Sequence, residues 1–268
     1  MVGSRLLRLA IRARARARWI RREMLDSLTP SDSTARCPLC ECVGSRQSFV
    51  VRTSRDVFWG GRLVRYQCPQ CDAIFGPERM LSLSEKELAI EYRDLYAIHK
   101  ECDSSDKEIS TFMHLEPRLG GKYLNFGAGC WSSSLSLLRQ QGHDVVGFEP
   151  YANKGGSDYI LTSADDLMKL QFDGIFSNNL IEHLQHPVET MRMLAGLLRD
   201  GHSKMAHAST CYQYDYEYSR FHLFFFVGRS VEALARRSGL RLQQTNDPEV
   251  RCFLLQPDNN RQLTTERK

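Results

Sequence analysis

A chain of 268 residues, 42% hydrophobic and 25% charged, holds enough apolar material for one large core or two modest ones; no apolar run reaches the roughly 18 residues of a membrane span. The formal charge of +4 hides an asymmetry, because residues 1–22 carry eight arginines and no acid, which leaves −4 on the rest. Nine cysteines without a continuous apolar leader read as reduced thiols in a cytosolic setting, with an organelle presequence as the competing reading of the Arg-rich start.

The first segment places Leu6, Leu7, Leu9, Ala10 and Ile11 before a strict Arg–Ala alternation from Arg12 to Arg18, followed by Trp19 and Ile20. Alternation is a strand pattern, yet Ala and Arg are strong helix formers and the flanks do not alternate, so a helix is predicted with Leu7, Ile11 and Ala15 on one side. Such a helix could be a solvated extension, or it could rest on an anionic membrane surface with Trp19 near the headgroups, making a cytoplasmic protein peripheral at the membrane. Contact with another protein through residues 1–22 is the third option. Nucleic acid is disfavoured because no base-reading element follows. The polar, turn-forming residues 26–36 read as a linker, so residues 1–34 are assigned as a basic helical arm and linker.

Cys37-Pro-Leu-Cys40 and Cys68-Pro-Gln-Cys71 form two CxxC pairs 27 residues apart. Two tight turns each presenting two thiolates complete the tetrahedral cage that structural zinc accepts. Redox CxxC motifs are the alternative, but those occur singly at the start of a helix. Segments Ser48–Thr53 and Leu63–Gln67 have strand composition and bracket a turn at Trp59-Gly60-Gly61. Residues 35–76 are thus expected to be a zinc ribbon held by Cys37, Cys40, Cys68 and Cys71, with Cys42 a spectator. Four thiolates leave no position for water, which predicts a metal that holds structure and does no chemistry. Ser84 and Glu87 form a capping box for a helix with Leu88, Tyr92 and Leu95 on one face, reaching Ile98; a second short helix follows Glu101–Glu108, and residues 77–117 read as a helical linker or lid.

From residue 118 to 268 strands and helices alternate. Tyr123–Phe126 is a buried strand, Gly127-Ala128-Gly129 turns at its end, and Ser132–Ser134 cap a helix that points Leu135, Leu137 and Leu138 at the sheet. Asp144–Phe148 is the next strand and ends at Glu149, 22 residues beyond Gly127. Glycines admit a ligand to the backbone, and an acid at the end of the second strand accepts ribose hydroxyls. Ser132 stands where a dinucleotide motif has its third glycine, which favours a nucleoside ligand without pyrophosphate.

The block Tyr123–Trp131, then Val146-Gly-Phe-Glu149-Pro150, then Phe172–Pro187 resembles the class I S-adenosylmethionine-dependent methyltransferase family. Residues Cys37–Tyr96 resemble the cysteine-ribbon prelude of a subset acting on sugars and other small metabolites, often encoded with surface polysaccharide synthesis. The resemblance implies an α/β fold, a Rossmann-like class I methyltransferase sheet with helices on both faces, preceded by the small four-cysteine zinc ribbon. It implies S-adenosylmethionine as cofactor, with Gly127, Ala128 and Gly129 under the methionine moiety, Glu149 on the ribose, Asp165 beside the adenine and Asn178 near the sulfonium. Two positions depart from the family pattern: Asn125 replaces an aspartate, and Trp131 a small glycine.

A hydroxyl acceptor needs a base with a pKa near neutrality. His183, in the Glu182–His183 pair beyond the fourth strand, is one candidate. His222 is the second, since ribbon-bearing sugar methyltransferases carry a histidine at a comparable place. Tyrosines at 212, 214, 216 and 218 could wall a ring-shaped acceptor. The expected reaction is methylation of a small-molecule hydroxyl, a sugar foremost. The alternatives are a non-catalytic scaffold and a nucleic-acid methyltransferase, the latter opposed by Ser177-Asn178-Asn179-Leu180 where an Asn- or Asp-Pro-Pro-aromatic signature would stand. Oligomeric state is left open.

Overall fold

The computed structural model describes residues 2–28, 33–99, 102–129, 132–150, 158–214 and 217–256. In chain order they form α1 (Val2–Leu28), β1 (Thr34–Arg36), β2 (Val43–Ser45), β3 (Val50–Asp56), β4 (Gly61–Gln67), β5 (Ile74–Phe75), α2 (Glu78–Leu81), α3 (Glu85–Tyr96), α4 (Ser105–Met113), β6 (Lys122–Phe126), α5 (Ser134–Gln140), β7 (Asp144–Phe148) and β8 (Ile160–Leu161). Then come α6 (Ala164–Leu167), β9 (Gly174–Asn178), α7 (Pro187–Gly196), β10 (Lys204–Ala208), β11 (Phe224–Phe225), α8 (Ser230–Arg237), β12 (Leu240–Gln243) and β13 (Val250–Leu255). Two compact units result: Met1–Glu101 with Tyr214–Ser230, and Cys102–Gln213 with Val231–Lys268.

In the first unit β3 and β4 make the expected antiparallel hairpin, with Thr53 opposite Val64, and β5 and β11 extend it to four strands. The apolar run Leu223–Phe226 is fully buried because β11 adds to β5, Phe224 lying opposite Phe75. The buried guanidinium of Arg65 donates to the carbonyls of Glu217, Ser219 and His222 and fixes the same return segment. Residues 214–230, expected within the 118–268 domain, therefore complete the sheet of the first unit.

Helix α1 forms as predicted, and one of its sides is packed into the first unit rather than solvated. Ile11, Ala15 and Trp19, spaced four apart, are buried, and Trp19 is only 1% exposed. Arg18 pairs with Glu91 at 3.2 Å and Asp94 at 2.6 Å, and Arg22 with Glu87 and Glu91. A Trp19 held near lipid headgroups is thus overturned: its indole lies inside the first unit, within 6 Å of the guanidiniums of Arg79 and Arg220. Leu7, placed on the same side from the sequence, is exposed. The capping box at Ser84 and Glu87 is present, and α3 ends at Tyr96. Its most buried face carries Glu91 and Asp94 as well as Leu95, because the facing arginines neutralise the two acids. Among the described residues no helix is long and apolar enough to cross a membrane.

The second unit is a seven-stranded sheet in the order β12-β13-β10-β9-β6-β7-β8. β7, β6, β9 and β10 are parallel neighbours, as are β7 and β8, while β13 runs antiparallel to both β10 and β12. Parallel strands need crossover connections, and α5 lies between β6 and β7, α6 between β8 and β9, and α7 between β9 and β10. One face is covered by Phe112 of α4 and Leu115 just beyond it, with Leu135 and Leu138 from α5, packed with Tyr123, Val145, Phe176 and Ala206. Helix α4, expected in a linker or lid, packs on the sheet instead. Leu137 points outward at 37% exposure, since a helix directs only one stripe at a sheet. The chain winds outward from β6 through β7 to β8, then returns to start β9 on its other side. That reversal is a topological switch point, and the crevice beyond the strands' carboxyl ends is the expected ligand site.

Candidate functional site

The four predicted cysteines converge. Sγ of Cys37 lies 3.6 Å from that of Cys71, and Sγ of Cys40 lies 3.5 Å from that of Cys68. All four sulfurs fall within 4.8 Å of one another. The two turns share one backbone pattern. Cys37 N–H donates to Cys42 O and Cys68 N–H to Ala73 O, both at 2.9 Å, and Glu41 and Asp72 N–H return to Cys37 O and Cys68 O. Glu41 (φ 62°) and Asp72 (φ 68°) occupy matching left-handed positions. Cys42 stays outside the group of four. The shared thiol protons hold Cys71 down at about 6 while Cys37 is pushed up. A divalent cation lets all four ionise together, so the donor set fits tetrahedral zinc.

In the second unit the end of β6 bends sharply at Gly127 (φ 77°) and Gly129 (φ 61°). Gly127 and Ala128 N–H donate to Phe148 O at 2.9 and 3.1 Å, which folds the turn over the end of β7. A Cβ at Gly127 would stand 2.7 Å from Leu180, whereas one at Gly129 would meet none of the described residues within 4 Å. Among the described residues nothing crowds Gly129, as a backbone that receives a ligand requires. Glu149 follows β7, and its carboxylate accepts Gly129 N–H at 3.1 Å. The structure thus brings Gly127, Ala128, Gly129 and Glu149 together. These residues fit the adenosyl ligand implied by the sequence: an accessible bend beside an acid at the second strand's end.

Asn178 is the last residue of β9, across the switch point from β6, and Asn179 beyond it adopts φ 48°. Asp165 is exposed in the first turn of α6. His183 ends the short turn Ile181–His183 and is half-buried. His222 belongs to the first unit, where its ring packs edge-on against Phe225 at 6.1 Å. Of the tyrosine row, Tyr212 is buried while Tyr214 and Tyr218 are exposed, so the alternation does not build one uniform wall. Trp131 and Tyr216 lie outside the described residues.

Three buried polar groups have environments that the sequence reading did not anticipate. Glu108 of α4 is buried and accepts from Asn125 Nδ2 at 2.9 Å and from the hydroxyls of Ser132 and Ser134. His207 in β10 is buried with Nδ1 2.8 Å from Ser177 Oγ, and burial lowers it to about 4. Burial pushes the Glu182 carboxyl, which bonds to Ser209, up to about 7. The run Ser132-Ser133-Ser134 was the available signal for the first, since three hydroxyls beside a glycine turn have to find acceptors. Nothing in the local pattern marks the other two.

Several solved structures are similar. The 1,6-didemethyltoxoflavin-N1-methyltransferase of Burkholderia thailandensis, bound to its substrate and S-adenosylhomocysteine, is 13% identical, with 72% of this chain and 92% of that one covered at a TM-score of 0.47. A chain of the Haloferax volcanii complex between the Trm112 methyltransferase activator and a methyltransferase is 16% identical, with 56% and 91% covered and a TM-score of 0.40. Magnesium protoporphyrin IX methyltransferase of Synechocystis, with S-adenosylmethionine bound, is 13% identical, with 67% and 89% covered and a TM-score of 0.37. No curated protein sequence matches. The Methyltransferase domain profile matches residues 99–245, just over half of the chain and nearly all of the switch-point sheet. This chain therefore belongs to the Methyltransferase domain family and is an S-adenosylmethionine-dependent methyltransferase.

Proposed function

We propose that the chain methylates a hydroxyl of a sugar or sugar-containing small metabolite. The observation that carries the cofactor part is the left-handed bend at Gly129 with the Glu149 carboxylate accepting its N–H. Gly127, Ala128 and Gly129 hold the methionine portion, Glu149 accepts from the ribose hydroxyls, Asp165 borders the adenine, and Asn178 at the end of β9 stands near the sulfonium. S-adenosylmethionine supplies an activated methyl group for in-line displacement, so much of the acceleration comes from orientation. His183, half-buried and at the crevice end of β9, is the base assigned to the acceptor hydroxyl, with His222 as the second candidate. The sugar assignment is supported by the sequence likeness of residues 37–96 to the prelude of sugar-acting relatives, in which Cys37, Cys40, Cys68 and Cys71 hold a structural zinc. Cytoplasmic placement agrees with reduced cysteines.

The test is calorimetric titration of the metal-replete protein with S-adenosylmethionine and S-adenosylhomocysteine, followed by methyl-transfer assays over a panel of nucleotide sugars. Micromolar cofactor binding with transfer to a sugar hydroxyl supports the reading. Transfer to nitrogen heterocycles alone would refute the acceptor class, and absence of cofactor binding would remove the whole proposal.

A further inference from the structure

Glu108 is 5% exposed, and all its partners are neutral: Asn125 Nδ2, Ser132 Oγ and Ser134 Oγ on one oxygen and Ser104 Oγ on the other. Among the described residues no lysine, arginine or histidine pairs with it. The neighbouring Lys107 turns away to Glu249. A buried carboxylate without a cation is expensive, and proteins retain one where a charge is to be met. Its position indicates which charge. Asn125 sits in β6 two residues before Gly127, and Ser132 and Ser134 lie just beyond Gly129, so Glu108 is tied to both arms of the glycine bend. Among the described residues the buried Asn125 Oδ1 beside it has no donor, leaving a second acceptor unspent in the same place.

Resting on the cofactor reading above, we infer that Glu108 is the counter-charge for the α-ammonium of the cofactor's methionine portion, relayed through Asn125, and that it positions this end in the bend. The strand position itself is neutral because α4 already brings the carboxylate. An aspartate at 125 would set two carboxylates against each other, whereas the amide donates to Glu108 with one end and leaves an acceptor at the other.

The test is calorimetric titration with three probes: S-adenosylmethionine, S-adenosylhomocysteine, which keeps the ammonium, and 5′-methylthioadenosine, which lacks the amino-acid portion. Glu108→Gln should weaken the first two by about tenfold and leave the third unchanged, as loss of a charge-assisted contact would. The swap Glu108→Gln with Asn125→Asp exchanges the ends of the pair and should restore both. It also decides the matter if the single variant does not fold. Unchanged binding of S-adenosylmethionine in Glu108→Gln overturns the inference, as does an equal loss for methylthioadenosine or a swap that restores nothing. Wild-type protein that binds none of the three removes the methyltransferase reading and this inference with it.

Discussion

Glu182 and His207 should give the protein a stability that is flat across mildly acidic pH only because two slopes cancel. Burial pushes the Glu182 carboxyl up from 4.5 to about 7. Below 4.5 both folded and unfolded chains carry its proton, and the folded state loses nothing. As pH rises towards 7 the unfolded chain sheds the proton while the folded chain keeps it, so stability falls. At 1.36 kcal/mol per pH unit the loss reaches roughly 3 kcal/mol. His207 behaves in the opposite sense: burial lowers it from 6.5 to about 4, so stability falls as pH drops through that window, again by roughly 3 kcal/mol. Between 4.5 and 6.5 the two contributions offset each other. Urea unfolding of wild type and Glu182→Gln at half-unit steps of pH separates them, because every other group titrates alike in both proteins. The advantage of Glu182→Gln over wild type should grow by roughly 3 kcal/mol from acid to neutral pH. A difference that stays constant with pH would mean that Glu182 is ionised in the folded protein, and the reasoning from its burial would fail.

Trp19→Ala should cost about 3–5 kcal/mol in urea unfolding, as large core truncations do, while Leu7→Ala, on the exposed side of the same helix, should stay within about 0.5 kcal/mol. Equal effects would show that α1 is not docked. The purified protein should carry about one zinc per chain by atomic absorption, lost on Cys68→Ser but kept on Cys42→Ser; retention in the first variant would show that the four thiols are not the site. Gly127→Ala should lose about 1–3 kcal/mol and weaken S-adenosylmethionine binding, because the new Cβ meets Leu180 in a left-handed conformation. A neutral effect on both would remove the bend's role.

What the sequence disclosed follows from how local each signal is. Each cysteine knuckle, the capping box at Ser84 and the glycine bend is set by residues within a few positions of one another, and Glu149 follows from one strand–turn–helix–strand unit; the structure has them at those positions. The errors came from long-range partners. Trp19 looked like an interfacial residue until Glu91 and Asp94, some 70 residues away in sequence, neutralised the arginines around it. Leu223–Phe226 was read with the neighbouring elements of the second unit because nothing local announces that β11 pairs with β5, about 150 residues earlier. Glu108 was one acid in a polar stretch until the fold set it against Asn125.

The Glu182–His183 pair shows the same limit at the level of chemistry. In sequence the two read as one motif, but the fold gives them different access to solvent: Glu182 is buried and His183 half-buried, while their ligand atoms stay within 4.8 Å of each other. Glu182 enters the interior, where its carboxyl keeps a proton up to about pH 7, and His183 remains half-buried. The base proposed for the acceptor has to pass its proton on to solvent before the next turnover, and a partly accessible imidazole meets that requirement where a sealed carboxyl does not. The adjacent acid then serves the turn: held against Ser209 beyond β10, it ties the end of β9 to the end of the neighbouring strand and sets where the histidine starts from.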